Sequence, residues 1–225
     1  MKILHLIGGD LNGGAAKGAY DLHKGLLELG VDSKILTNSK EVYGDNTVTS
    51  IDGNDKIRRF LSLARGQADA SLQNIYPRHH EMSFHGGIFG YDFTKSVHYF
   101  EADIVHLHWI CNGFGSVYDL SKIQKKIVWT MRDMWPMTGG CHYSMGCERY
   151  FNGCGKCPIL RSKSDYDLSC FLFNLKKKKY PKSIHIIGIS NWISECARKS
   201  HLFRDFDIRT FFNNVNIRDP ICNVK

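Results

Sequence analysis

The chain has 225 residues, with 30 Lys and Arg against 22 Asp and Glu, a net charge of +8 and a pI near 9.0. Its 43% hydrophobic and 12% aromatic content is ordinary for a soluble globular protein. No apolar run approaches the roughly 20 residues of a membrane span, and MKILHLIGG is too short an apolar stretch for a signal peptide. The chain is therefore expected in the cytoplasm, where thiols stay reduced. The basic balance favours phosphates, nucleic acid or an anionic membrane surface, without choosing among them.

Lys2 to Ile7 is nearly all apolar, as a strand buried on both faces of a parallel sheet would be. Gly8, Gly9, Gly13, Gly14 and Gly18 follow. Ala15, Ala19, Leu22, Leu26 and Leu29 then recur at helical spacing, which predicts an amphipathic helix closed by Gly30. Ser33 to Thr37 completes a βαβ unit. Glycines at such a turn let backbone N–H groups approach a phosphate at the positive end of a helix, or else only make a tight turn. The P-loop ending Gly-Lys-Ser/Thr is missing. The second strand runs into Thr37-Asn38 where the dinucleotide fingerprint needs an acidic residue, so NAD is disfavoured.

Thr47 to Ile51 reads as a short strand, and Asp55 to Ala64 as a helix with Ile57, Phe60, Leu61 and Ala64 on one face. Residues 67–92 hold His79, His80, His85 and Gly86-Gly87 without periodicity, and read as a mobile loop at the mouth of a cleft. Asp103 to Trp109 predicts a buried strand in which His106 and His108 share a face. One of them is expected to point into the cleft or to be a satisfied structural residue. A short helix over Ser116 to Lys122, a strand from Lys126 to Met131 and a helix over Cys170 to Lys178 come next. The chain continues with a strand from Ile184 to Gly188, a helix behind Ser190 and a last strand, Ile208 to Phe212. The run Lys176 to Lys179 reads as a solvated helix end or a foothold on anionic lipid headgroups. Strands alternating with helices predict an α/β doubly wound, mostly parallel, Rossmann-like sheet. One domain is expected over 1–216, with a tail at 217–225.

The loop 132–160 carries Cys141, Cys147, Cys154 and Cys157 in a C-x5-C-x6-C-x2-C pattern. Only the last pair has zinc-knuckle spacing. A structural zinc on four thiolates, disulfides, and reduced thiols that simply pack are the open readings. His142 is a substitute ligand or has another role.

Four segments carry a family resemblance, in order: GGDLNGGAAKGAYDLHKGLLELGVDS, ADIVHLHW, VWTMRDMWPMTGGCHYSMGCERYFNGCGKCP and GISNWISECARKS. The chain resembles the N-terminal half of bacterial family-4 glycosyltransferases of GT-B architecture, the branch used in colanic acid, capsule and other exopolysaccharide assembly. The resemblance implies an acceptor-side domain facing a second domain that holds a nucleotide-sugar donor. Carried over by position, it makes Arg132 and Asp133 the candidate catalytic residues. Gly13, Gly14, His108, Trp109 and Trp135 are the candidate substrate contacts. Arg132 departs from the His that many relatives place there, and an arginine cannot act as a general base.

The same resemblance implies a sugar acceptor, lipid-linked or oligosaccharide; the basic charge and the lysine run are the grounds for expecting contact with the inner membrane face. The donor-binding domain is expected to be absent from this chain, so that isolated turnover fails, and either a C-terminal domain in trans or self-association is expected. The alternative is a basic zinc-knuckle module that binds polyanions or nucleic acid. Dispersed basic residues disfavour nucleic acid.

Overall fold

A computed structural model of the chain describes residues 1–39, 44–53, 55–76, 79–80 and 82–213. Seven strands form one sheet: β1 (Lys2–Ile7), β2 (Asp32–Thr37), β3 (Val48–Ser50), β4 (Ile104–Leu107), β5 (Lys126–Met131), β6 (His185–Gly188) and β7 (Ile208–Thr210). Their order is β3-β2-β1-β4-β5-β6-β7, and every neighbouring pair is parallel. The helices among the described residues are α1 (Gly14–Glu28), α2 (Lys56–Ser71), α3 (Val97–Glu101), α4 (Val117–Leu120), α5 (Leu168–Lys179) and α6 (Asn191–Lys199). This is the expected α/β doubly wound arrangement. The tail at 217–225 lies outside the described residues. None of the described helices is long and apolar enough to cross a membrane.

The strand order reverses between β1 and β4, and open α/β sheets hold ligands beyond the carboxyl ends of the strands at that point. Past those ends the two chains stay in contact: the Gly8 amide donates to the Trp109 carbonyl at 2.6 Å. A Cβ on Gly8 would stand 2.6 Å from the Cys111 carbonyl, so only glycine lets the loops meet.

Both faces of the sheet are covered, which is why its strands read as continuous apolar runs. Leu4, Leu6, Val105, Leu107, Ile127 and Trp129 enter the larger core. Ile7, Ala16, Ala19, Ile35 and Val48 form a smaller one with α1. Trp129 is fully buried, its ring centroid 5.4 Å from Tyr180 and 6.1 Å from Phe203. Truncating such a side chain to Ala costs about 3–5 kcal/mol.

Helix faces depart from the periodicity reading. In α1 the buried residues are Ala16, Ala19 and His23, whereas Leu22 and Leu29 are exposed. Small side chains bring α1 close to the sheet, and His23 bonds the hydroxyls of Ser33 (2.7 Å) and Thr47 (2.8 Å). In α2 the buried residues are Ser62, Gly66 and Asp69, while Ile57, Phe60, Leu61 and Leu63 face out. A Cβ on Gly66 would meet the Asn112 side chain at 2.7 Å, so close approach selects glycine over leucine.

The stretch 67–92 is not a mobile loop in its described part. The buried Asp69 carboxylate accepts from the amides of Gly87 (3.0 Å) and Ile88 (2.9 Å). Phe84, also buried, pairs with Cys141 in an antiparallel bridge. The lysine run needs correction too. Lys176 is fully buried, and its ammonium donates to the carbonyls of Trp135 and Thr138 while lying 3.7 Å from the Trp135 ring centroid. Lys177 and Lys178 are exposed.

Candidate functional site

A cavity of about 810 Å³ opens at the carboxyl edge of the sheet. Gly9, Gly13 and Gly14 form one wall, Arg132 and Asp133 the floor, and Arg59, Ser62 and Leu63 of α2 the rim. Trp109, Asn112, Tyr143 and Asn213 complete much of the lining.

The glycine wall is fixed from beneath. Gly9 has φ +97°, a conformation that favours glycine. Its amide donates to the Asn38 side chain at 2.9 Å, and its carbonyl accepts from the Thr37 hydroxyl at 2.8 Å. Gly13 and Gly14 differ. Gly13 sits at φ −69°, and a Cβ at either position would meet nothing within 4 Å. Neither conformation nor internal packing demands glycine there, and the space belongs to the cavity. Gly13 caps α1 without a side-chain bond, and the first turn carries no acidic residue. The free amides and positive end of α1 therefore face the cavity, a setting that suits an anion.

Arg132 adds a fixed positive charge. Its Nη1 donates to the Asn213 side chain at 3.0 Å, and its Nε is buried without a partner. The guanidinium lies against α1, where a Cβ on Gly18 would stand 2.6 Å from Nη1. Burial lowers the Arg132 pKa, and Asp21 opposes that shift. A buried, unsatisfied donor on a cation is costly unless an acceptor reaches it.

Asp133 is held on both oxygens. Oδ1 accepts from the Trp135 amide at 2.9 Å, and Oδ2 accepts from His142 Nδ1 at 2.6 Å. His142 Nε2 meets His85 Nδ1 at 2.8 Å. Burial, then the neighbouring His142, lowers His85 to about 4. His85 is therefore neutral near pH 7, and the row Asp133–His142–His85 holds the carboxylate in one orientation. Reading the residues in order did not find this row. DMW and CHY carry the directly bonded pair Asp133 and His142, but the third member, His85, lies 57 residues from His142.

The sequence candidates thus divide. Gly13, Gly14, Trp109, Arg132 and Asp133 share the cavity. His108 and Trp135 do not line it. Both are buried behind the wall, His108 bonded to His5 (2.9 Å) and Trp135 packed near Trp129. A direct substrate contact from either is corrected to a supporting position.

Among the described residues, two trios have ligand atoms within 4.8 Å of one another: His5, His106 and His108, and His85, Cys111 and His142. In the first, the rings of His106 and His108 stack at 4.2 Å with 28° between planes, and His5 Nδ1 meets His108 Nε2 at 2.9 Å. In the second, both His142 nitrogens are already engaged by Asp133 and His85. The cysteine quartet stands apart from the cavity, around a small pocket of its own.

The fold and cavity define a Rossmann-like α/β protein with an anion-suited cleft at the switch point. The chain is similar to the putative colanic acid biosynthesis glycosyl transferase WcaC of Escherichia coli (strain K12), with 26% identity over 157 residues. The match covers 67% of this chain and 38% of that protein. No family model matches the chain. The likeness supports a glycosyltransferase relationship at a distance.

Proposed function

We propose that this chain forms the acceptor-side half of a GT-B glycosyltransferase of family-4 type. It serves transfer of a sugar from a nucleotide-sugar donor to a polysaccharide or lipid-linked acceptor in surface polysaccharide assembly. The observation that carries the reading is the convergence of the α1 amides and the Arg132–Asp133 floor on one cavity, in a chain similar to WcaC.

In this reading the α1 N-terminus and Arg132 hold a diphosphate as negative charge builds on it during departure. Such pre-set donors are often the largest catalytic contribution. Asp133 accepts from an acceptor hydroxyl, in an orientation that His142 maintains. Arg132 supplies charge and takes no proton. Holding donor and acceptor together can account for roughly 7–11 kcal/mol of barrier reduction. The matched region is well under half of WcaC, and we assign the donor-holding surface to a second domain.

The test is incorporation of radiolabelled sugar from a panel of nucleotide sugars into lipid and polysaccharide fractions. Extracts of the source cell are used with and without this chain. Incorporation that requires the chain and is lost in Arg132→Ala supports the proposal. Equal incorporation without the chain, across the whole panel, sinks it.

A further inference from the structure

We propose that Cys141, Cys147, Cys154 and Cys157 bind one structural zinc ion as a closed four-thiolate site, separate from the sugar-transfer cavity. All four line one pocket of about 20 Å³, closed by Phe84, Tyr150 and Ile159. That is space for an ion and not for a substrate. None of the four is in a disulfide.

The chain around them is shaped for sulfur ligands. Cys147 ends a tight turn in which its amide bonds the Ser144 carbonyl at 2.9 Å, with Met145 and Gly146 at positive φ. Cys154 and Cys157 flank Gly155 and Lys156, again at positive φ, which folds the C-x2-C segment back on itself. Backbone amides point at the sulfurs: that of Gly139 at Cys154, and those of Ile159 and Leu160 at Cys157. Such outer contacts orient metal ligands.

A charge argument points the same way. Four thiols that bind Zn²⁺ release four protons and leave a site of net charge −2. Lys176 is a fully buried ammonium whose direct partners are neutral, two carbonyls and an indole ring. Cys141 and Cys154 are among the groups close enough to act on its charge. The Asp133 carboxylate also acts on that charge, and a zinc tetrathiolate nearby would add further negative charge to offset the buried ammonium.

Zinc–sulfur bonds of about 2.3 Å in a tetrahedron set the sulfurs about 3.8 Å apart. The quartet stands wider, since no three of these sulfurs lie within 4.8 Å of one another. Binding therefore draws the sulfurs closer together than they stand here.

The experiment uses the whole chain, purified under reductant without chelator. Metal analysis should give about one zinc per chain, a tetrahedral site holding one ion. Co²⁺ exchanged into it should show the visible bands of a tetrahedral ion and sulfur-to-cobalt charge transfer. Cys147→Ser and Cys154→Ser should weaken or shift those bands, while Cys170→Ser, on α5, leaves them unchanged. The wild-type cobalt spectrum decides the matter even where a variant fails to fold. A six-coordinate spectrum, or no metal with all four thiols reacting freely with a thiol reagent, overturns the proposal.

Discussion

His142 Nδ1 donates to Asp133 Oδ2 across 2.6 Å, in a part-buried contact on the cavity lining that is backed by His85. The pair joins two ends of one loop, so the carboxylate on the cavity floor points where the imidazole lets it. Replacement of His142 by Ala should lower turnover of the assembled transferase by about 10- to 100-fold, the cost of misplacing a reacting group by about 1 Å. Steady-state kinetics should show the loss in kcat more than in the donor KM. A variant with unchanged kcat would mean that Asp133 needs no such support.

Arg132, which lines the cavity, is predicted to bind a phosphate in two-pronged fashion through its guanidinium. Arg132→Lys keeps the charge and loses the fork. Calorimetric titration with pyrophosphate should show weakening of about 10- to 100-fold, the worth of a charged hydrogen bond of about 1.5–3 kcal/mol. Arg132→Lys that binds as tightly as wild type would show that only charge matters there.

The interior histidines predict acid sensitivity. His106 is lowered to about 3 by burial, then by Arg132, and His5 and His108 are lowered well below 6.5, chiefly by burial. The groups facing them are His23, Arg132 and one another, with Thr130 bonded to His106 at 2.8 Å. Unfolding frees these imidazoles to protonate near 6.5. The unfolded chain therefore binds more protons in acid. The stability from neutral burial is complete above about pH 6.5 and is lost as pH falls toward the folded value for His106. Urea midpoints should decline over that interval, and His106→Gln should flatten the decline. A flat profile in the wild type would contradict the burial account.

Helix α2 turns Ile57, Phe60 and Leu61 outward, among Lys56, Arg58 and Arg59, at the rim of the cavity. If a lipid-linked acceptor arrives from a membrane, this face should meet anionic lipid, at about 1 kcal/mol per cation near the surface. Sedimentation with phosphatidylglycerol vesicles should carry down the wild type and leave behind a Phe60→Ser, Leu61→Ser double variant. Equal recovery of both would remove this helix from any membrane role.

The sheet was legible because buried parallel strands are continuous apolar runs, and Lys2–Ile7 and Lys126–Met131 needed no context to be seen. The helix faces were less so. Hydrophobic periodicity selected Leu22 and Leu29, whereas close packing selected Ala16, Ala19 and a histidine with two hydroxyl partners. In α2 the contact side is Ser62, Gly66 and Asp69, which no apolar pattern marks. Lys176 was hidden in a run of lysines that gave no sign of which one points inward. The glycine loop was found because loops at strand ends have a known place in such sheets, and Asp133 through the family resemblance of the DMWP segment. His85 was not, since its role depends on a tertiary contact.

The central claim is that the glycine loop and the Arg132–Asp133 floor bind one phosphate-bearing ligand of sugar transfer. Its most direct test is amide and side-chain chemical-shift mapping of the labelled chain, titrated with a lipid-pyrophosphate analogue and with nucleotide diphosphates. The account predicts saturable shifts centred on Gly13, Gly14, Arg132, Asp133 and Asn213, abolished together by Gly14→Val while the sheet resonances stay in place. Shifts confined to the exposed Lys177 and Lys178, or an undiminished response in Gly14→Val, would contradict it.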